Sequence, residues 1–178
     1  GNSLYSDKFK QRIQDKIIRP AIKEINGSIS LDKVPFLKDV AQIFDLGKEV
    51  DNKVVTEGLA AAISLDANAT KAFSDLAGKL GLKKFDAEVK KIIDPQITAI
   101  NKNTPAETIT ALKAFEDKGF IANGTVYKKI EDLGKKAANV LDANAAKAFS
   151  KLAKELGLKA KFDAEVKKII DPQITAIN

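Results

Sequence analysis

Residues 141–178 read LDANAAKAFSKLAKELGLKAKFDAEVKKIIDPQITAIN, and residues 65–101 repeat this stretch almost letter for letter. The two copies differ at four aligned positions and by one inserted residue, Ala160. From Phe162 onward, apolar residues follow at offsets of 4, 7, 8, 12 and 15, which is the spacing of one face of an α-helix. A duplicated helical segment of this kind predicts an all-α fold built from internal repeats.

The end of this segment occurs a third time near the start of the chain. Residues 9–26 parallel residues 85–101 and 162–178, and all three copies end in Ile-Ile-x-Pro-x-Ile-x-x-Ile-Asn. We call this element the isoleucine-proline motif. A chain that starts and stops on the same element is compatible with a piece of a longer array. It is equally compatible with a complete protein whose first helix caps the first unit, as terminal elements of repeat proteins do.

Weaker similarity upstream of the near-identical segments indicates the length of the repeat. Leu112-Lys113 follow Leu37-Lys38 by 75 residues. We therefore expect an all-α protein with two tandem four-helix units of about 75 residues, preceded by one extra helix. The predicted domains are an N-terminal helix over 1–26, a first unit over 27–101 and a second unit over 102–178.

Capping residues and prolines predict where individual helices begin, end and bend. In the second unit, Thr104 and Pro105 predict the start of a helix over 105–118, Thr125 can cap the next helix, and Asp142 can cap the one after. A proline inside the isoleucine-proline motif removes a helical hydrogen bond, so the final helices are expected to be kinked or restarted there. These prolines are Pro20, Pro95 and Pro172. In the first unit we expect helices over 33–46, 50–63, 67–80 and 85–100.

Composition argues against an enzyme. The chain has no cysteine, histidine, methionine or tryptophan, which excludes disulfides, thiolate or imidazole metal sites and histidine-based proton transfer. Acidic pairs at Glu116-Asp117, Glu131-Asp132 and Asp163/Glu165 are the remaining candidates for acid–base chemistry. On helices, such residues more often solvate the surface or cap a helix start, so we expect no catalytic site and no metal site.

The net charge of +6, from 30 basic and 24 acidic residues, favours an acidic partner such as a protein surface or a membrane complex. Arg12 and Arg19 are the only arginines, and bidentate recognition of phosphates and bases favours arginine, so we expect no nucleic-acid partner. Adjacent lysines recur with the repeat and are the candidate docking residues, although lysines also serve simply to solvate helices. They are Lys83, Lys84, Lys90, Lys91, Lys128, Lys129, Lys135, Lys136, Lys167 and Lys168.

No apolar run is long enough to cross a membrane, so we expect a soluble protein that is not transmembrane. The sequence begins Gly1-Asn2-Ser3 without methionine. Such a start is compatible with a cleaved targeting segment and equally with a tag remnant.

Several short segments resemble the peridinin–chlorophyll proteins of dinoflagellates. The resemblance rests on Pro20 to Asn26, Leu112 to Gly124, Leu141 to Phe149 and Val166 to Pro172, which occur in the same order. It implies an internally duplicated helical antenna of the thylakoid lumen that encloses carotenoids and chlorophyll. In that family a histidine-bearing helix lies near the chlorophyll magnesium, whereas the matching stretches here, 59–64 and 133–140, contain no histidine.

Three functions follow as expectations. The first is a non-catalytic accessory protein of the thylakoid lumen that docks on an acidic face of a photosystem, in character similar to the small extrinsic subunits of photosystem II. The second is a soluble antenna that binds a carotenoid, a chlorophyll or another apolar ligand. The third is a purely structural array of helical repeats.

Overall fold

The structure, a computed structural model, describes residues 2–26 and 29–177, and most of these residues lie in helices. No β-strand occurs in these ranges, which confirms the predicted all-α class. Gly1 is the first residue of the start that we compared with a cleaved targeting segment or a tag remnant, and it lies outside the described residues. The α-helices in chain order are α1 Asn2–Ile13, α2 Arg19–Lys23, α3 Val34–Ile43, α4 Gly47–Ile63, α5 Ala67–Lys79, α6 Phe85–Thr98, α7 Ala106–Asp117, α8 Thr125–Asn139, α9 Ala143–Glu155 and α10 Lys159–Thr175.

A π-helical turn at Gln14–Ile18 joins α1 to α2 inside the first copy of the isoleucine-proline motif. This copy has one residue more between its phenylalanine and its Ile-Ile pair than the copies that start at Phe85 and Phe162. A π-type turn takes up an extra residue within a helix. The turn therefore absorbs the insertion and leaves Ile18 buried, as its counterpart Ile93 is.

The chain divides into two compact units, Gly1–Val89 and Lys90–Asn178. The division lies within α6, so the first half of this helix belongs to the first unit and its second half to the second. The domain limits predicted from the sequence place a boundary after Asn101 instead, and they stay a prediction. Both descriptions treat the isoleucine-proline motif as the element at which one unit meets the next in the chain.

In the first unit, α3, α4 and α5 pack together and α2 packs against α4. Val50 and Val54 of α4 are fully buried, as is Val34 at the start of α3. Polar contacts also join the first motif to this core: the Gln14 amide donates to the carbonyl of Phe44 at 2.6 Å.

In the second unit, α8, α9 and α10 pack against one another, and α7 packs on α8 and α9. Its core is made of apolar side chains from all four helices that water does not reach, and burying such surface is the main stabilising contribution to folding. The largest are Ile109, Leu112, Phe115, Ile130 and Phe162.

One packing device occurs in both units, a phenylalanine ring placed directly on a helical glycine. Phe85 covers Gly58 of α4, and Phe162 covers Gly134 of α8. A Cβ atom added at Gly134 would lie 2.2 Å from Cζ of Phe162, and one at Gly58 would lie 2.4 Å from Cζ of Phe85. Glycine is unfavourable inside a helix. Its presence at these two positions is explained by the ring, which lies so close that it leaves no room for a side chain.

The predicted caps are only partly correct. Asp142 accepts a hydrogen bond from the backbone N–H of Ala145 at 2.9 Å, which confirms it as the cap of α9. Thr104 does not cap α7, because the helix begins one residue later than predicted, after Pro105, and the Thr104 hydroxyl accepts from the N–H of Asn101. Thr125 does not cap α8 either, because its hydroxyl donates to the carbonyl of Ala122.

In all three copies of the isoleucine-proline motif, helical structure continues through the proline. Pro20 lies in the first turn of α2, directly after the π-helical turn. Pro95 and Pro172 lie inside α6 and α10, which continue through them, so a restart at these two positions is wrong. Within the described part of the chain, no helix combines the length and the apolar character needed to cross a membrane.

Candidate docking surface

The docking lysines predicted from the sequence differ in how far they are engaged within the protein. Lys135 contacts the carboxylates of Glu131 and Glu165, and Lys168 also pairs with Glu165, so these two lysines meet at one acid. Lys90 and Lys167 pair with the aspartates four residues further along their helices. Lys91 is exposed on α6. Within the described ranges, no carboxylate lies within ion-pair distance of Lys83, Lys84, Lys128, Lys129 or Lys136.

A row of exposed positive charges in the second unit lies on α9 and was not predicted. Lys147, Lys151 and Lys154 are spaced four and three residues apart, which places them on one face of the helix. All three are exposed, and no carboxylate among the described residues pairs with them. We call these three residues the α9 ridge.

A groove lies on each side of the α9 ridge. The polar groove has a volume of about 640 Å³ and is lined by the ridge together with Lys102, Thr104 and Asn144. The apolar groove, of about 520 Å³, runs between α9 and α10, and Phe162, Val166 and Ile170 are among the apolar residues that line it. Four lysines and one acidic residue, Glu155, therefore line the polar groove.

The first unit carries the same helix without the ridge. The counterparts of Lys147 and Lys151 are Lys71 and Asp75, which pair with each other at 2.5 Å, and the counterpart of Lys154 is Gly78. Apolar positions along the helix are otherwise retained. At the ridge positions these differences replace a neutral set of residues by three lysines, while Glu155 in place of the exposed Lys79 lowers the charge beside the ridge.

A row of lysines without acidic partners sets up a positive potential that attracts anionic groups over roughly a Debye length, about 8 to 10 Å at ordinary ionic strength. Lysine ammonium groups act as point charges on flexible stems and do not impose the bidentate geometry that arginine does. The α9 ridge therefore suits an acidic surface whose carboxylates are spread out. It is not built to recognise one particular small anion.

Glu116 has a structural role that the sequence did not reveal. Its side chain is buried, and one carboxylate oxygen accepts the backbone N–H of Val126 at 3.2 Å while the other accepts from Lys113 at 2.9 Å. Burial alone would raise the pKa of Glu116, but hydrogen bonds from the N–H groups of Gly124 and Val126 and from Lys113 together outweigh it and lower that pKa. Glu116 therefore caps α8 from α7, so of the two roles expected for such acids, solvating the surface and capping a helix start, it has the second.

The other acidic pairs are also occupied. Glu131 pairs with Lys135, and this pairing lowers the pKa of Glu131. Asp163 accepts from Lys159 and from Ser150 of α9, which lowers its pKa as well. Burial raises the pKa of the nearby Tyr127 to about 12, and the neighbouring Glu131 carboxylate adds to the shift. Each of these groups is held in the protonation state that its ordinary pKa gives at neutral pH, which leaves no poised acid or base among them.

Among the described residues, no three acidic side chains come together in a way that could hold a metal ion. No protein family, curated protein or solved structure matches this chain. The resemblance to peridinin–chlorophyll proteins and the expectation of carotenoid or chlorophyll binding therefore stay predictions.

Proposed function

We propose that this protein is a non-catalytic docking protein that binds an acidic protein surface through the α9 ridge and the polar groove beside it. The observation that carries the proposal is the difference between the two copies: Lys71 and Asp75 neutralise each other, whereas Lys147, Lys151 and Lys154 have no acidic partner among the described residues. Unpaired like charges on one helix face repel one another, so their presence favours a role in binding over a role in folding.

The resemblance to peridinin–chlorophyll proteins suggests where such a surface would be found. An acidic face of a photosystem on the lumenal side of the thylakoid membrane is the partner that we propose. Complementary charge would speed and orient docking there more than it would tighten it, and the interaction would weaken as salt is raised.

The test uses a column of immobilised poly-L-glutamate as the acidic probe and measures the NaCl concentration that elutes the protein. The variant Lys151→Asp/Lys154→Ala gives the ridge the charge of the first copy, in which an aspartate already occupies the first of these two positions. It removes two positive charges, adds one negative charge and allows the introduced aspartate to pair with Lys147. At about 0.5 kcal/mol for each exposed charge, we expect a loss of about 1.5 kcal/mol, or roughly tenfold in affinity at low salt.

The matched control is Lys83→Asp/Lys84→Ala, which makes the same change in net charge on the turn before α6. We expect the control to elute close to the unmodified protein and the ridge variant to elute at clearly lower salt. Equal shifts in both variants would mean that only net charge matters, and the proposed site would then be wrong.

A further inference from the structure

The three copies of the isoleucine-proline motif have nearly the same apolar face but bury different halves of it. In the middle copy both halves are buried: Phe85 and Val89 in its first half, and Ile93, Ile97 and Ile100 in its second. The first of these halves belongs to the first unit and the second half to the second unit. The middle copy is therefore divided between the two units.

The first copy buries only its second half. Phe9, the counterpart of Phe85, is 63% exposed, whereas Ile18, Ile22 and Ile25 are each 6% exposed or less. This second half lies on the helical pair α3 and α4 of its own unit. An ion pair of 3.3 Å between Arg19 and Glu49 of α4 adds a polar contact there. These contacts show that the second half of the isoleucine-proline motif packs on a pair of helices such as α3 and α4.

The last copy shows the opposite arrangement. Phe162 is 1% exposed and Val166 is 8% exposed, but Ile174 and Ile177 are 53% and 79% exposed. Ile170 is half-buried and lines the apolar groove of about 520 Å³. Ile170, Ile174 and Ile177 thus form one unpartnered helical face, which we call the α10 face.

We infer that the α10 face binds a further helical unit of this same repeat. The face packs on the two helices of that unit that are equivalent to α7 and α8, where no other copy of the isoleucine-proline motif covers them. The counterparts of the α10 face are buried in both earlier copies, and this sets the chemistry of the partner. Within this chain, the π-helical turn and α2 already lie on α3 and α4, and the second unit already includes the second half of α6. The partner that we infer for the α10 face therefore lies outside these two units.

The test extends the full chain by a second copy of residues 102–178 after Asn178, so that the junction reads Asn-Lys, as it does at Asn101-Lys102. Hydrogen exchange is then measured for the backbone amides of residues 170–177 in the original and the extended chain. Burial of the α10 face slows this exchange by roughly tenfold or more in the extended chain.

Two substitutions, made in both chains, separate coupling from a general effect of added sequence. Ile174→Asp abolishes the added protection, whereas Thr175→Asp leaves it in place. Thr175 is the matched control because its counterpart Thr98 is exposed in the middle copy, where the neighbouring Ile97 is buried. In the original chain neither substitution shifts the unfolding transition, because both side chains are exposed there.

Three results would overturn the inference. Exchange over residues 170–177 could be the same in both chains, or the two substitutions could act alike in the extended chain. The added unit could also fail to fold, as shown by no gain in helical circular dichroism. Such a failure counts against coupling because α10 repeats the sequence of α6 from Phe85 to Asn101, so it should support an added unit equally well.

Discussion

Replacing Gly134 by alanine tests the ring-on-glycine packing that both units share. The new Cβ atom would lie 2.2 Å from Cζ and 2.4 Å from Cε2 of Phe162, whereas ordinary contacts between carbon atoms are about 3.5 to 4.0 Å. The ring would have to move by more than about 1 Å inside a close-packed core. Phe162 is 1% exposed and lines the apolar groove, so a movement of its ring into the groove would cost it part of its burial.

The magnitude follows from two opposing contributions. Overpacking a core typically costs about 1 to 3 kcal/mol, whereas replacing glycine by alanine inside a helix gains up to about 1 kcal/mol. The overlap at Gly134 is severe, so we expect a net loss of about 1 to 2 kcal/mol in the free energy of unfolding. Gly78 in α5 is the matched control, because nothing lies within 4 Å of a Cβ atom added there. Gly78→Ala should stabilise the protein by about 0.5 to 1 kcal/mol.

The assay is urea unfolding followed by far-ultraviolet circular dichroism. With a dependence on urea of about 2 kcal/mol per molar, the two variants should differ in midpoint by roughly 1 M. Phe162→Leu shortens the side chain that overlaps the new Cβ, so in a double-mutant cycle it should recover part of the loss caused by Gly134→Ala. If Gly134→Ala stabilised the protein as Gly78→Ala does, the packing described here would be refuted.

Two further predictions concern helix starts. Glu116→Gln should cost about 1 to 3 kcal/mol at neutral pH, because it weakens a buried cap and leaves Lys113 without one of its acidic partners. Since the pKa of Glu116 is lowered in the folded state, its contribution is present above the ordinary value of 4.5 and is lost as the pH falls through the folded-state pKa. Urea unfolding at pH 7 and at pH 3 should therefore show the difference between the two proteins shrinking in acid, and an unchanged difference would contradict this account. Asp142→Ala should cost about 1 kcal/mol in the same assay by removing the cap of α9. Asn144→Ala, which lies on the same turn but makes no cap, is its control, and equal losses would count against the capping role.

The helical content and most helix limits follow from the sequence because they depend on local interactions. Asp142 needs only the N–H groups of its own first turn, and its role could be read from its position. Thr125 looked equally suitable, but Glu116 satisfies the start of α8 from another helix. When the capping group comes from another helix, no pattern in the neighbouring sequence indicates it. The prediction that Thr125 caps α8 failed for this reason.

The candidate surface could not be predicted from runs of charge. The docking residues inferred from the sequence were adjacent lysines, and adjacent positions on a helix point about 100° apart. The α9 ridge uses positions four and three residues apart, so its charges gather on one face without forming a run. Comparing the two copies residue by residue does carry a signal, since Lys151 and Lys154 both replace uncharged or acidic residues of the first unit.

The passage of α6 from one unit to the other has a practical consequence for dividing the protein. A cut at any point between Phe85 and Thr98 would deprive one of the two cores of side chains that it buries. Fragments intended to fold alone must therefore overlap, one ending after Asn101 and the other beginning before Phe85.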